Sequence, residues 1–120
     1  MSRSLVVKVT CGAEDAERCN QAFTVAASAV ALDVPVSLWL TGEAAWFAVP
    51  GRAAEFALPH ATPLPDLLEL VIDRGRVTVC SQCAVRRGLT PDDLLAGIHI
   101  AGAALFAEEI LAPDAQAVVY

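Results

Sequence analysis

The sequence predicts an α/β fold on a mainly parallel sheet, and three observations carry that reading. Short apolar runs rich in β-branched residues recur along the chain, segments of helical period separate them, and the connections between the two are short. Parallel strands need crossovers, and helices supply them, so the alternation implies a three-layer α/β/α sandwich with roughly five strands. Residues 1–120 read as one domain, because no long Gly-, Ser- or Pro-rich tract interrupts the pattern.

Leu5-Val6-Val7-Lys8-Val9-Thr10 is a mostly buried strand that stops at Gly12. Glu14 and Asp15 put negative charge where a helix would begin. Cys19, Ala22, Phe23, Ala26, Ala27 and Val30 then fall on one helical face, and the helix is expected to end near Asp33, ahead of Pro35. Val36-Ser37-Leu38-Trp39-Leu40 is a second strand, closed by Thr41-Gly42. Glu43 to Leu64 holds a short helical piece around Ala44 to Phe47, a Val49-Pro50-Gly51 turn, and an irregular stretch with His60.

Pro65 to Arg74 is a helix with Pro65 at its first position, Leu64, Leu67, Leu68 and Val71 on one side, and Gly75 past its end. Arg76-Val77-Thr78-Val79-Cys80 is a third strand, and Cys83 to Arg87 a helical turn stopped by Gly88. Thr90-Pro91-Asp92-Asp93 has the form of a helix start, opening a brief helix that ends at Gly97. Ile98-His99-Ile100 is a short strand, Ala103 to Leu111 a helix, and Ala117 to Tyr120 a last strand.

Composition narrows the function classes. The chain carries a net charge of −6 with only eight Lys and Arg. Arg86-Arg87 with Arg74 and Arg76 make no basic stripe, so nucleic acid is not an expected partner. The most apolar stretch, Ala22 to Leu40, is broken by Asp33 and Pro35 and changes period midway, so no membrane span is expected. Met1-Ser2-Arg3-Ser4 leads straight into a strand without a secretory signal, which makes the cytoplasm the expected compartment. There the four cysteines should be free thiols. A hydrophobic fraction of 56% in so short a chain also predicts that some apolar surface is hidden in an oligomer.

In parallel sheets reactive groups gather at the carboxyl ends of strands, and Cys11 and Cys80 both fall there. Cys80-Ser81-Gln82-Cys83 follows a strand and opens a helical turn, where backbone N–H groups favour a thiolate, with Arg86 and Arg87 a turn later. The plainer reading is two small buried residues at a strand-to-helix corner. A zinc site would need Cys11 and Cys19, or His60 and His99, as further ligands, and the spacing of Cys11 and Cys19 matches no common zinc pattern. No metal and no cofactor is therefore expected. Cys19 reads as core, and Cys11 as either a turn residue or a third thiol near Cys80. His99 reads as a packed histidine and His60 as exposed, while Trp46 and Phe47 default to core packing.

Val79-Cys80-Ser81-Gln82-Cys83-Ala84-Val85-Arg86-Arg87-Gly88-Leu89 resembles the signature of the DsrE/DsrF/DsrH-like family, which includes the sulfur-relay TusBCD proteins and the YchN-like proteins. The rest of the chain agrees in order, with Glu43 to Leu64 matching least. The resemblance implies a flavodoxin-like sandwich, assembled as a trimer or hexamer. It also implies that Cys80 accepts sulfane sulfur as a persulfide and yields it to a partner thiol.

The leading expectation is therefore a sulfurtransferase-like carrier with Cys80 and Cys83 catalytic, and Cys11, Ser81, Gln82, Arg86 and Arg87 supporting. It exchanges sulfur with donor and acceptor proteins. Two further readings stay open: an oligomeric scaffold or small-ligand binder in which the cysteines are incidental, and a Cys80–Cys83 dithiol redox protein.

Overall fold

The computed structural model describes residues 3–120, so Met1 and Ser2, the head of the segment read above for a secretory signal, lie outside the described residues. Five strands form one sheet: β1 (Ser4–Val9), β2 (Val36–Leu40), β3 (Arg76–Cys80), β4 (Ile98–Ala101) and β5 (Ala115–Val119). Their order is β4-β3-β2-β1-β5, and every neighbouring pair is parallel. The helices are α1 (Ala16–Ala31), α2 (Leu64–Arg74), α3 (Ser81–Arg86) and α4 (Ala103–Ile110).

The order explains the layers. From β1 to β4 each crossover steps the same way across the sheet, and right-handed steps of one direction place their helices on one face. Only the connection from β4 back to β5 reverses, which sends α4 alone to the other face.

The two faces are unequal as a result. Val7, Val9, Leu38, Leu40, Val77 and Val79 point into a buried core with Phe23 and Val30 of α1 and Leu68 and Val71 of α2. On the other face Trp39 is buried under Phe106 of α4, with ring centroids 5.4 Å apart. Glu109 pins the helix down by accepting hydrogen bonds from Ser37 Oγ at 2.6 Å and Trp39 Nε1 at 2.9 Å. Apart from that anchor, α4 buries none of its residues fully, and Val119 is 61% and Leu111 80% exposed. His99, expected to be packed, is exposed because β4 is an edge strand and α4 does not reach over it.

The less regular stretches resolve into 3-10 turns at Gly42–Ala48, Ala53–Glu55 and Pro91–Asp93. Only one turn forms where a longer helix was expected after Thr90. There the Thr90 N–H and hydroxyl both bond the Asp93 carboxylate, which holds that carboxyl below the usual range. Phe47 fulfils the core expectation, edge-on to both Phe23 and Phe56. Trp46 is only half-buried, with the Arg52 guanidinium 4.6 Å from its ring centre. His60 is exposed and takes a positive φ of 63°. Among the described residues no helix is long and apolar enough to cross a membrane.

Candidate functional site

Cys80 is the last residue of β3 and the N-cap of α3, so the helix begins at once rather than at Cys83. Strand alternation turns Val77 and Val79 to the core, and Cys80, at the strand's end, packs against the edge of that core beside Cys83. The sulfur sits half-buried at the carboxyl edge of the sheet, where a stable thiolate needs compensating donors.

It has them. Partial burial pushes the Cys80 thiol up, but four influences act the other way and win. They are the N–H of Cys83, the Cys83 side chain, the N–H of Gln82 and the charge of Lys8, and together they hold Cys80 below the ordinary cysteine value.

Cys83, 8% exposed, lies between Cys80 and the turn that follows β2. Its Sγ accepts a hydrogen bond from the Gly42 N–H at 3.2 Å while its thiol contacts Cys80. The Gly42 turn is in turn clamped to α3. Arg87 donates from Nε and Nη2 to Glu43 Oε2, at 3.1 and 2.7 Å, and from Nη1 to the Cys83 carbonyl at 3.2 Å. A half-exposed ion pair of this kind adds at most about 1 kcal/mol, so its importance is geometric.

This arrangement revises the electrostatics read from the sequence. Arg87 turns to Glu43 and the Cys83 carbonyl, and exposed Arg86 bonds Gln82 Oε1 at 3.4 Å, so among the described residues neither arginine is one of the charges acting on Cys80. The cation that does act, Lys8, stands on β1 and carried no signal in the sequence beyond being a lone charge in an apolar strand. Ser81 is half-buried against the Gly102 corner, and Gln82 contributes its backbone N–H while its side chain is exposed.

Cys11 does not join this group. It is buried in the core near Cys19, and its Sγ donates to the Asp15 carbonyl at 3.8 Å. Burial, then Asp15 and Glu14, push the Cys11 thiol up against a smaller opposing effect of Arg18. Burial, with Cys11 and the same two acids, pushes Cys19 up to about 12. Both are protonated packing residues at neutral pH. Among the described residues no three His, Cys, Asp or Glu side chains gather as a metal would require.

The model of the DsrE/DsrF-like family matches residues 3–118 of the chain. The uncharacterised protein MJ0760 of Methanocaldococcus jannaschii is 27% identical over 110 residues, covering 91% of this chain and 40% of that protein. The chain thus spans less than half the length of that curated relative. Among solved structures, E. coli YchN superposes with a TM-score of 0.80 at 17% identity, covering both chains entirely. MTH1491 of Methanobacterium thermoautotrophicum, a protein of unknown function, gives 0.63 at 13% identity, also over both whole chains. BT1422 of Bacteroides thetaiotaomicron gives 0.59 at 12% identity, covering 98% of this chain and 94% of that one. At these identities the structural likenesses establish the fold, a flavodoxin-like α/β/α arrangement.

Proposed function

The chain belongs to the DsrE/DsrF-like family, and on that premise we propose that it is a sulfur carrier which holds sulfane sulfur as a persulfide on Cys80. The observation that carries the reading is the set of donors around the Cys80 sulfur: two backbone N–H groups, a neighbouring thiol and an ammonium charge. A thiolate is the nucleophile in sulfur exchange, and a persulfide is itself an anion, so the same donors stabilise both states.

The step balances without an added oxidant. The Cys80 thiolate attacks the outer sulfur of a donor persulfide R–S–SH. A bond forms between Cys80 Sγ and that sulfur as the donor S–S bond breaks. The donor sulfur leaves with the electron pair and takes the proton, giving Cys80–S–S⁻ and R–SH. An acceptor thiolate reverses the sequence. Cys83, whose thiol contacts Cys80 and whose sulfur rests on the Gly42 N–H, stabilises the anion.

That same contact favours a second reading, in which Cys80 and Cys83 cycle as a dithiol and disulfide. Labelled sulfane sulfur separates the two. The carrier takes up label, releases it to an added acceptor thiol, and loses both abilities in Cys80→Ser. A wild-type protein that takes up no label, or a Cys80→Ser variant that still does, contradicts carriage at Cys80.

The proposal extends to assembly and place. The exposed apolar side chains of Val119 on β5 and of Leu111 just past the end of α4 support a homo-oligomer, a trimer or hexamer, that buries this face in the cytoplasm, where donor and acceptor proteins are met. Light scattering is expected to give a mass of three or six chains, and Val119→Glu with Leu111→Glu to lower it. A monomeric wild type contradicts this part of the reading.

A further inference from the structure

β5 is an edge strand that nothing protects. Sheet edges are ordinarily blunted by a lysine, a proline, a bulge or a covering segment, because their outward N–H and C=O groups can pair with another chain. From Ala115 to Tyr120 there is no charged residue and no proline. The register against β1 runs unbroken from Ser4↔Ala115 to Lys8↔Val119, so the strand has no bulge. Gln116, Ala117 and Val119 are all exposed, so among the described residues no segment covers it.

The bonds on the inner side of β5 fix the direction of its backbone groups. The Asp114 carbonyl accepts from the Ser4 N–H at 3.2 Å, the Tyr120 N–H donates to the Lys8 carbonyl at 2.8 Å, and the Tyr120 carbonyl accepts from the Thr10 N–H at 2.9 Å. Even-numbered residues therefore face β1, and alternation turns the N–H and C=O of Ala117 and Val119 to the open side. The Ala115 N–H is already taken by the Ala112 carbonyl at 3.2 Å.

A second group at this edge also lacks a partner. By register Gln116 and Val118 share the face of Leu5 and Val7, on which α1 packs, and Tyr120 follows them in the alternation. There Asn20, Thr24, Val25 and Tyr120 border a depression of about 240 Å³. The Asn20 Nδ2 is shut off from solvent and bonds nothing among the described residues.

We propose that β5 is the pairing edge for a second copy of this chain, joined antiparallel about a two-fold axis at Val118 so that the two sheets become one. In that register Ala117 and the partner's Val119 exchange N–H···O=C bonds in both copies, which uses the free donors and acceptors of both residues. Val118 faces the partner's Val118, and no like charges meet along the strand although each copy carries a net charge of −6. The partner's Gln116 falls opposite Tyr120 and brings an amide acceptor to the depression beside Asn20. The contact rests on the assembly reading above and selects within it: two-fold contacts between three-fold rings give six chains, whereas a ring alone gives three.

Light scattering of wild type is expected to give six chains, and Ala117→Pro to halve that mass. Proline removes an N–H that faces away from β1, so the sheet within each copy keeps its bonds and circular dichroism stays that of wild type. Should Ala117→Pro not fold, Val118→Cys combined with Cys80→Ser replaces it. Facing Cα atoms about 4.5 Å apart permit a disulfide, so mild oxidation is expected to join those chains in twos. A wild type of three chains or one, a folded Ala117→Pro of undiminished mass, or a Val118→Cys protein left single by oxidation overturns the pairing. Three chains would leave the three-fold reading standing, and two chains reduced to one by Ala117→Pro would do the reverse, so the two failures are told apart.

Discussion

Gly42→Val is expected to destabilise the protein by about 2–5 kcal/mol, seen as a fall in its denaturant midpoint. Two costs add. Gly42 holds φ +56°, a left-handed conformation that a β-branched residue adopts only under strain. A Cβ built there would also lie 2.5 Å from the Thr10 carbonyl oxygen, which is backbone and cannot swing aside. Thr10 is tied in place by its N–H and hydroxyl, which both bond the Tyr120 carbonyl, at 2.9 and 2.7 Å. On the other side, the Thr41 N–H and hydroxyl both bond the Val9 carbonyl, at 2.9 and 2.8 Å. Movement of the turn withdraws the Gly42 N–H from Cys83, so the surviving folded protein should also alkylate more slowly at Cys80. A valine variant with the wild-type midpoint contradicts this account of the turn.

Cys83→Ala is expected to raise the midpoint of Cys80 alkylation by about one unit and slow the reaction near pH 7 roughly tenfold. A hydrogen bond to a charged group is worth about 1.5–3 kcal/mol, and one unit of pKa corresponds to about 1.4 kcal/mol. Part of the effect is spared because alanine keeps the backbone N–H that also faces Cys80. The sign follows from the direction of the shift. Cys80 lies below the ordinary thiol value of about 8.5, so wild type stays reactive to lower pH than a free cysteine, and losing a donor moves the fall-off upward. Cys83→Ser, which retains a donor, should fall between the two. A Cys83→Ala profile that overlays wild type would show that the second thiol does not support the first.

Much of the fold was legible because it depends on local pattern. The β-branched runs at Val6-Val7 and Val77–Val79, the helical spacing of Cys19 to Val30, and the Pro65 and Gly75 ends all act within a few residues. Cys80 was legible for the same reason: strand end, cysteine and helix start are consecutive. The rest of the site depends on register, which periodicity does not encode. Glu43 meets Arg87 from 44 residues away, and Gly42 meets Cys83 from 41. The charge of Lys8 acts on Cys80 from β1, two strands away from β3. Proximity in sequence misled in the opposite sense with Arg86 and Arg87, whose guanidinium groups turn to Gln82 and Glu43. Cys11, also at a strand end, turned into the core because its place in the alternation of β1 follows Val7 and Val9.

The most direct test of sulfur carriage is the intact mass of purified protein after exposure to a persulfide donor, wild type beside Cys80→Ser. The account predicts whole sulfur atoms added to wild type alone, removed by a reductant, and mapped to the peptide that begins at Val77 and contains Cys80. Loss of two hydrogens without added sulfur, or equal addition to Cys80→Ser, would contradict it.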